Sequence, residues 1–235
     1  MKRAIIIGID YKGEAYELPD CELDALNMKA LLEKSGVDCT AITGECAASY
    51  LMSHLTTVEA IRIKPSDTLY LYFSGHGTQV PGRSEAICLY RKSKGVEVLL
   101  DKDLRAALDK IEGSKFLILD SCFSGGMDRK SRKAGMKRRL IPFDSDAMAV
   151  YEAPAVLHRE AKAPTQKLYC LFACQKYEVA YSTGIGGKFT NGIRAAAALG
   201  KRTIKTVMSL ATDRCEPDQT PKTVIVGGNN QKGVF

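Results

Sequence analysis

A chain of 235 residues, 45% hydrophobic and 26% charged, has the composition of a globular protein, and its length suits one α/β domain or at most two small ones. The apolar run at residues 4–10 is too short to span a membrane and no signal-peptide pattern surrounds it, so we expect a cytoplasmic protein with no membrane partner. The eight cysteines include no Cys-x-x-Cys pair, which disfavours a zinc site, and a long chain without a secretory signal does not call for a disulfide framework.

Strand and helix patterns alternate along the chain. We expect strands over residues 4–10, 37–42, 68–74, 115–121, 167–174 and 223–226. Between them we expect a helix that Asp20 caps and that ends near Gly36, a helix over residues 47–62, a helix that Asp101 caps, and helices around 190–199 and 203–212. This alternation predicts an α/β fold with a mostly parallel sheet and helices on both of its faces.

The net charge of +7 comes from one segment. Residues 129–139 contain no acid, and without their seven basic residues the other 27 balance the 27 acids of the chain. The seven are Arg129, Lys130, Arg132, Lys133, Lys137, Arg138 and Arg139. A run of this kind is typical of a solvated loop or an interaction tail, and its lack of interleaved aromatic residues disfavours a nucleic-acid partner. The stretch 129–166 is long for a loop inside a compact domain, so we expect it to be functional or mobile.

Two strand ends carry reactive side chains beside glycines. The motifs are Ser74-Gly75-His76-Gly77 and Asp120-Ser121-Cys122-Phe123-Ser124-Gly125-Gly126. Active sites of open α/β sheets lie beyond the carboxyl ends of strands, and an imidazole can convert a thiol into the nucleophilic thiolate. The other histidines, His54 beside a helical apolar stripe and His158 in the long irregular stretch, do not follow strands. A turn histidine and a buried cysteine are each ordinary alone, but together they favour a catalytic pair.

These two motifs resemble the histidine and cysteine motifs of metacaspases and their bacterial relatives. His76 and Cys122 are 46 residues apart, close to the ~50 residues typical of caspases. Further similar segments are residues 4–10, 18–25, 172–175, 188–190 and 219–221. The resemblance therefore covers nearly the whole chain. It implies a single caspase-like domain over residues 1–235 with a three-layer fold, in which a larger part (1–128) and a smaller part (167–235) flank a linker (129–166).

The resemblance also implies a cysteine endopeptidase. His76 and Cys122 would form the catalytic dyad and work through a thioester, and the backbone N–H groups of Gly77 and Cys122 would form the oxyanion hole. Metacaspases bind a P1 arginine or lysine with acids, and the matching pocket positions are Cys21, Asp24, Ser74 and Asp120. Two carboxylates beside the nucleophile suit a cation, so we expect protein or peptide substrates cut after Arg or Lys. The alternative for each residue alone is that Asp24 is a solvated residue of a helix and Asp120 a polar residue at a strand end.

Many metacaspases require calcium, but this chain departs from their ligand pattern. One ligand position falls on Arg91, and Lys102 follows Asp101 where a second acid is expected, while Asp128 is offset by one residue. Calcium needs several hard oxygen ligands. We therefore expect no metal and no other cofactor.

The basic run lies between the two family-like parts of the chain. Caspase-like enzymes are commonly matured by cleavage there, so the resemblance predicts a zymogen that cuts itself after one of the seven basic residues. A loop that is merely basic remains the alternative. For the whole chain the alternative is a catalytically silent caspase-like module that binds partners, although such a module has usually lost His or Cys. A tyrosine phosphatase needs Cys-x5-Arg, and Arg129 is one residue too far from Cys122.

Overall fold

The computed structural model describes residues 1–122, 136–158, 167–175, 178–215, 217 and 219–235. The strands of these residues are, in chain order, β1 (Lys2–Gly8), β2 (Asp38–Thr43), β3 (Thr68–Ser74), β4 (Gly77–Gln79), β5 (Glu85–Arg91), β6 (Gly95–Leu100), β7 (Ser114–Asp120), β8 (Lys137–Arg138), β9 (Met148–Val150), β10 (Lys167–Phe172), β11 (Tyr181–Ser182) and β12 (Lys222–Val226). The α-helices are α1 (Cys21–Glu33), α2 (Ala48–Ser53), α3 (Ala60–Arg62), α4 (Asp101–Asp109), α5 (Lys188–Ala198) and α6 (Ile204–Cys215). None of them is long and apolar enough to cross a lipid bilayer.

A six-stranded sheet forms the centre of the molecule. Its spatial order is β12-β10-β7-β3-β1-β2, and all neighbouring pairs are parallel except β10 and β12. The predicted α/β fold with a mostly parallel sheet is thus confirmed. The strand β3 is buried along its whole length, which explains why its sequence is a continuous apolar run rather than an alternating one.

Apolar side chains cover both faces of this sheet. On β1, Ile5 and Ile7 belong to one core and Ala4 and Ile6 to the other, because successive side chains of a strand point to opposite faces. Helices α1, α5 and α6 pack on the second face, and helices α2 and α4 with strands β5 and β6 pack on the first. Helices therefore lie on both faces, as the alternation of elements predicts.

Three features of the fold are absent from the sequence-based expectation. A second sheet, β4-β5-β6-β9, covers one face, and β8 pairs with β11 in a small antiparallel ribbon. The predicted helix over residues 47–62 contains a π-helical segment, His54–Glu59, between α2 and α3. Strands β4, β8, β9 and β11 have only two or three residues each, too few to form a recognisable apolar run, whereas β5 has a buried apolar run, residues 86–90, that the expected strands do not include.

The register of the central sheet brings the two motifs together. Gly8 of β1 lies opposite Ser74 of β3, which lies opposite Asp120 of β7. His76 and Cys122 each follow the end of their strand by two residues, so both stand at the same edge of the sheet. This is the carboxyl edge, where parallel α/β sheets form their sites.

Candidate active site

His76 is held at the edge of the sheet through both its backbone and its ring. Its N–H donates to the Tyr11 hydroxyl at 2.9 Å, and the two rings lie 4.8 Å apart. The Nε2 atom is 2.6 Å from the Tyr16 carbonyl oxygen, so Nε2 carries the hydrogen. The Nδ1 atom is buried and has no hydrogen-bond partner among the described residues. The unprotonated nitrogen is therefore the one left available to act as a base.

Burial controls the charge of this imidazole. It lowers the pKa of His76 to about 4, the Tyr16 carbonyl opposes the shift, and the positive charge of Arg139 adds to it. The His76 ring is therefore neutral near pH 7.

Tyr11 is a structural support that the sequence did not reveal. Its backbone has φ of 54°, in the left-handed region that non-glycine residues rarely adopt. Its buried hydroxyl donates to the Cys88 carbonyl at 2.6 Å while it accepts the His76 N–H. Tyr11 thereby connects the His76 loop to strand β5.

Residues 137–141 run through the cleft between the two motifs. Arg138 lies opposite Tyr181 in the antiparallel pairing of β8 with β11, and the Arg139 N–H donates to the Ala180 carbonyl at 3.0 Å. On the other side, the Ile141 N–H donates to the Gly77 carbonyl at 3.2 Å. Backbone hydrogen bonds therefore hold the chain on both sides of the Arg139–Leu140 peptide bond, in the way that an extended peptide adds to a sheet edge.

The Arg139 carbonyl oxygen accepts two backbone hydrogen bonds. They come from Gly77 N–H at 2.9 Å and from Cys122 N–H at 3.3 Å. A Cβ atom at residue 77 would collide with the Cys122 carbonyl group, so only glycine permits this approach. The two donors predicted for an oxyanion hole thus converge on a single carbonyl oxygen.

The Cys122 side chain is fully buried beside the same segment. The Ala180 N–H donates to its Sγ atom at 2.9 Å, and the Ala180 carbonyl oxygen lies 3.5 Å from Sγ. Ala180 therefore contacts both the thiol and the Arg139 amide.

The Arg139 side chain is fully buried among acids. Its Nη2 atom lies 2.6 Å from Asp24 Oδ2 and 3.1 Å from Asp20 Oδ1. Its Nη1 atom lies 3.2 Å from Asp120 Oδ1 and donates to Ser74 Oγ at 2.5 Å. A buried guanidinium is tolerated only when it is paired and hydrogen-bonded, and these groups form a pocket that pairs both of its Nη atoms.

Two of the pocket residues have shifted pKa values. Burial raises the pKa of the Asp24 carboxyl, Arg139 opposes this shift, and the neighbouring Asp120 charge adds to it. Burial also raises the pKa of the Cys21 thiol well above its ordinary value, so Cys21 stays a neutral neighbour of Ser74. The negative charge of the pocket thus belongs to its aspartates.

A comparison with known protein families gives one match over nearly the whole chain. The family model described as Caspase domain matches residues 1–226. The chain belongs to the caspase domain family. It is therefore a member of a family of cysteine-type peptidases.

Curated proteins similar to this chain include metacaspases, which confirms the metacaspase resemblance of the chain. Metacaspase-7 of Arabidopsis thaliana is 32% identical over 172 residues, which cover 64% of this chain and 42% of the plant protein. Metacaspase-1 of Plasmodium falciparum is 33% identical over 172 residues, covering 63% of this chain and 28% of that protein. The chain thus spans less than half the length of these relatives.

Solved structures show the same caspase-like fold. Protein GSU0716 from Geobacter sulfurreducens has a TM-score of 0.77 at 22% identity, covering 100% of this chain and 98% of the other. Caspase-1 from Spodoptera frugiperda has a TM-score of 0.57 at 13% identity, covering 95% of this chain and 85% of the other. At these identities the likeness concerns the fold alone.

The predicted pocket residues of this caspase-domain chain lie together. Cys21, Asp24, Ser74 and Asp120 surround Arg139, which sequence reasoning placed in the basic run. The expectation that the whole run is solvated is wrong for Arg139, because its charge is neutralised by long-range partners. Lys137 and Arg138 form β8, and Arg129, Lys130, Arg132 and Lys133 lie outside the described residues.

Other candidate residues lie elsewhere. His54 Nε2 is 3.3 Å from Glu59 Oε1, and His158 Nε2 is 2.8 Å from Asp103 Oδ1, so neither imidazole joins the site. The expectation that Asp20 caps α1 with its side chain is wrong, because that carboxylate makes no cap hydrogen bond. The partners of Asp20 are distant in sequence, so no local pattern could reveal them.

Two of the positions that match calcium ligands of the family, Arg91 and Asp101, have other contacts in the structure. The Arg91 guanidinium donates to Glu97 Oε1 at 2.6 Å, so a positively charged side chain and its carboxylate partner occupy that position. Asp101 begins α4 after Leu100, the N-cap residue, and its carboxylate accepts the N–H of Lys102, a second cation. Asp128 lies outside the described residues.

Proposed function

We propose that the chain is a cysteine endopeptidase that cuts after arginine or lysine with His76 and Cys122 as its dyad. The observation that carries the proposal is the position of Arg139. Its guanidinium lies between Asp24 and Asp120, and its carbonyl oxygen accepts the N–H groups of Gly77 and Cys122. A basic side chain in an acidic pocket, with its carbonyl at two backbone donors beside a thiol, is the arrangement that such a substrate requires.

The proposed chemistry uses these groups in turn. His76 Nδ1 accepts the Cys122 thiol proton, and the sulfur turns from Ala180 to attack the carbonyl carbon of the P1 residue. The N–H groups of Gly77 and Cys122 stabilise the oxyanion, for which such donors are worth roughly 3–4 kcal/mol each. His76 then returns the proton to the leaving amine, and a thioester remains on Cys122. Water attacks the thioester and releases the carboxylate product.

We further propose that the chain is a zymogen whose first substrate is its own Arg139–Leu140 bond. Arg139 fills the pocket in the intact chain, so an outside substrate cannot enter until this segment leaves. Cleavage removes the covalent link from Arg139 to Leu140, one of the two links that keep Arg139 in place. Backbone pairing on both sides of the bond supports this choice over the other basic residues of the run.

Incubation of the purified protein tests both proposals. Wild type should yield a fragment ending at Arg139 and one beginning at Leu140, identified by intact mass and amino-terminal sequencing. Cys122→Ala should stay whole, His76→Ala should be slower by ~10²–10⁴-fold, and Arg139→Ala should not be cut there. The matched control Arg138→Ala should be cut normally. Cleavage at Arg139 by Cys122→Ala, or a wild type that stays whole but cuts Arg peptides, would contradict self-processing.

Peptides that end in Arg, Lys or Asp then test the processed enzyme. We expect turnover of the Arg and Lys peptides, none of the Asp peptide, and the same rates with a chelator or with millimolar calcium. Equal turnover of Arg and Asp peptides would refute the acidic pocket, and a saturable calcium stimulation would refute calcium independence. A catalytically silent module would cut none of the peptides.

A further inference from the structure

Asp20 stands at the N-cap position of α1, but another residue performs the capping. The Asp10 carboxylate accepts the N–H groups of Cys21 and Glu22, at 2.7 and 3.0 Å. These are two of the helix N–H groups that lack a partner within the helix. The Asp20 side chain makes no cap hydrogen bond. Its carboxylate is therefore available for other partners, although it is fully buried.

The Asp20 carboxylate joins a distant loop to the guanidinium of Arg139. Its Oδ2 atom accepts three backbone N–H groups of the pocket loop, residues 182–187, at 2.9–3.1 Å, from Thr183, Gly184 and Gly186. Its Oδ1 atom accepts the Ser182 hydroxyl and lies 3.1 Å from Arg139 Nη2. One oxygen thus holds the wall of the pocket, and the other faces the P1 group.

We propose that Asp20 is a third acid of the P1 pocket and that it makes the pocket select arginine over lysine. This inference rests on the proposed function and deepens it. The guanidinium offers two Nη atoms, of which Nη2 contacts Asp20 and Asp24 while Nη1 contacts Asp120 and Ser74. A lysine offers one compact ammonium that cannot reach both groups of acids. It would leave a buried carboxylate without a cation, which is strongly unfavourable.

Self-cleavage offers a test in which the pocket and its occupant are changed together. Arg139→Lys should slow the cut after residue 139 by on the order of tenfold to a hundredfold in the otherwise wild-type chain. In the Asp20→Asn chain the same exchange should cost only a few-fold, because the pocket then holds one carboxylate fewer for the single ammonium to neutralise. The four rates form a double-mutant cycle, and the proposal requires that they deviate from additivity.

Asp10→Asn is the matched control. It removes a buried carboxylate at the same helix start, and the ion pairs of Arg139 do not include Asp10. Asp10→Asn weakens the cap of α1 but leaves the acids around Arg139 in place. The factor by which Arg139→Lys slows the cut should therefore stay at the wild-type value. Loss of this factor in Asp10→Asn as well would show that any damage to α1 relaxes the pocket, and would overturn the role given to Asp20.

Two processed enzymes, wild type and Asp20→Asn, should then be compared on peptides that differ only in P1. Wild type should favour the Arg peptide in kcat/KM by at least about tenfold, and Asp20→Asn should lose most of this preference. An equal loss on both peptides would make Asp20 a support of the pocket loop only.

Should Asp20→Asn fail to fold by circular dichroism, a wild-type preference below about threefold would overturn the proposal. If wild type cuts Arg and Lys peptides equally, the Asp20 role alone fails, and if it cuts neither, the proposed function fails with it.

Discussion

At the scale of single residues, burial decides the protonation of His76. Its ring is almost fully enclosed, its Nε2–H donates to Tyr16, and its pKa is lowered to about 4 by burial. In the unfolded chain the same ring would titrate near 6.5. Between these two values the unfolded state binds the additional proton, so the folding free energy must depend on pH.

We expect the contribution of His76 to the free energy of unfolding to be constant above pH 6.5 and to decrease as the pH falls towards 4. The lost free energy of unfolding should approach ~3 kcal/mol, because each pKa unit corresponds to about 1.36 kcal/mol. Urea unfolding of Cys122→Ala at several pH values measures it in a chain that cannot cut itself. The matched variant Cys122→Ala with His76→Gln should lose that much less between pH 7 and 4. Asp24 and the other titrating groups are common to both chains, so equal losses would show that His76 is not a buried neutral ring.

Arg139 and Asp20 show which residues could not be predicted from sequence. Both were assigned from their neighbours, one as part of a charged run and the other before a helix. Arg139 and Asp20 lie 119 residues apart in sequence, and the partners of Asp20 in the pocket loop lie more than 160 residues from it. The strand-end motifs around His76 and Cys122 were found because apolar runs and glycines are local signals.

At the scale of elements, the first turn of α5 orients Asp120. The Thr190 N–H and hydroxyl both donate to Asp120 Oδ2, at 3.0 and 2.6 Å, and the Tyr72 hydroxyl is 2.6 Å from Thr190 Oγ1. A helix N-terminus offers free N–H groups and a favourable dipole to an anion. Asp120 can therefore keep its Oδ1 atom towards Arg139.

Thr190→Val should weaken the binding of arginine without altering the dyad. Valine has the shape of threonine but lacks the hydroxyl, so Asp120 loses one donor and the Tyr72 hydroxyl loses its partner. We expect kcat/KM for an Arg peptide to fall by about tenfold, mainly through KM, together with ~1–3 kcal/mol of stability. Steady-state kinetics and thermal melts measure the two effects.

Thr190→Ser keeps the hydroxyl and should restore most of the activity. A valine variant as active as wild type would show that the backbone N–H alone orients Asp120. An activity loss that appears entirely in kcat would instead connect Thr190 to the chemical step.

The elements themselves were predictable to different degrees. Apolar runs mark the central strands, and the expected positions of these strands and of helices α1, α4, α5 and α6 agree with the structure to within a few residues. Strand β4 has only three residues and Glu97 interrupts the apolar residues of β6, whereas the apolar run of β5, residues 86–90, is a local signal that the expected strands do not include. The ribbon of β8 and β11 has two residues in each strand, and it forms only when residues far apart in the chain meet.

At the scale of the whole molecule, the central sheet contains strands from both sides of the proposed cleavage site. Strands β1, β2, β3 and β7 precede Arg139, whereas β10 and β12 follow it. The strand β10 pairs with β7 from Lys167 opposite Ser114 to Phe172 opposite Leu119, and β12 covers its other side. Apolar side chains of α1 and α5 also share one core. A cut after Arg139 therefore leaves both fragments in one sheet.

The processed protein should migrate as two bands in a denaturing gel but elute from a size-exclusion column at the volume of the intact Cys122→Ala chain. Separation of the fragments without denaturant would contradict a shared sheet. Because β10 pairs with β7 across the cut, cleavage also changes the molecularity of folding. The intact chain unfolds in a unimolecular transition, whereas the cut protein becomes a heterodimer whose two chains must meet again to refold. Its unfolding midpoint should therefore rise with protein concentration, while that of the intact chain stays constant.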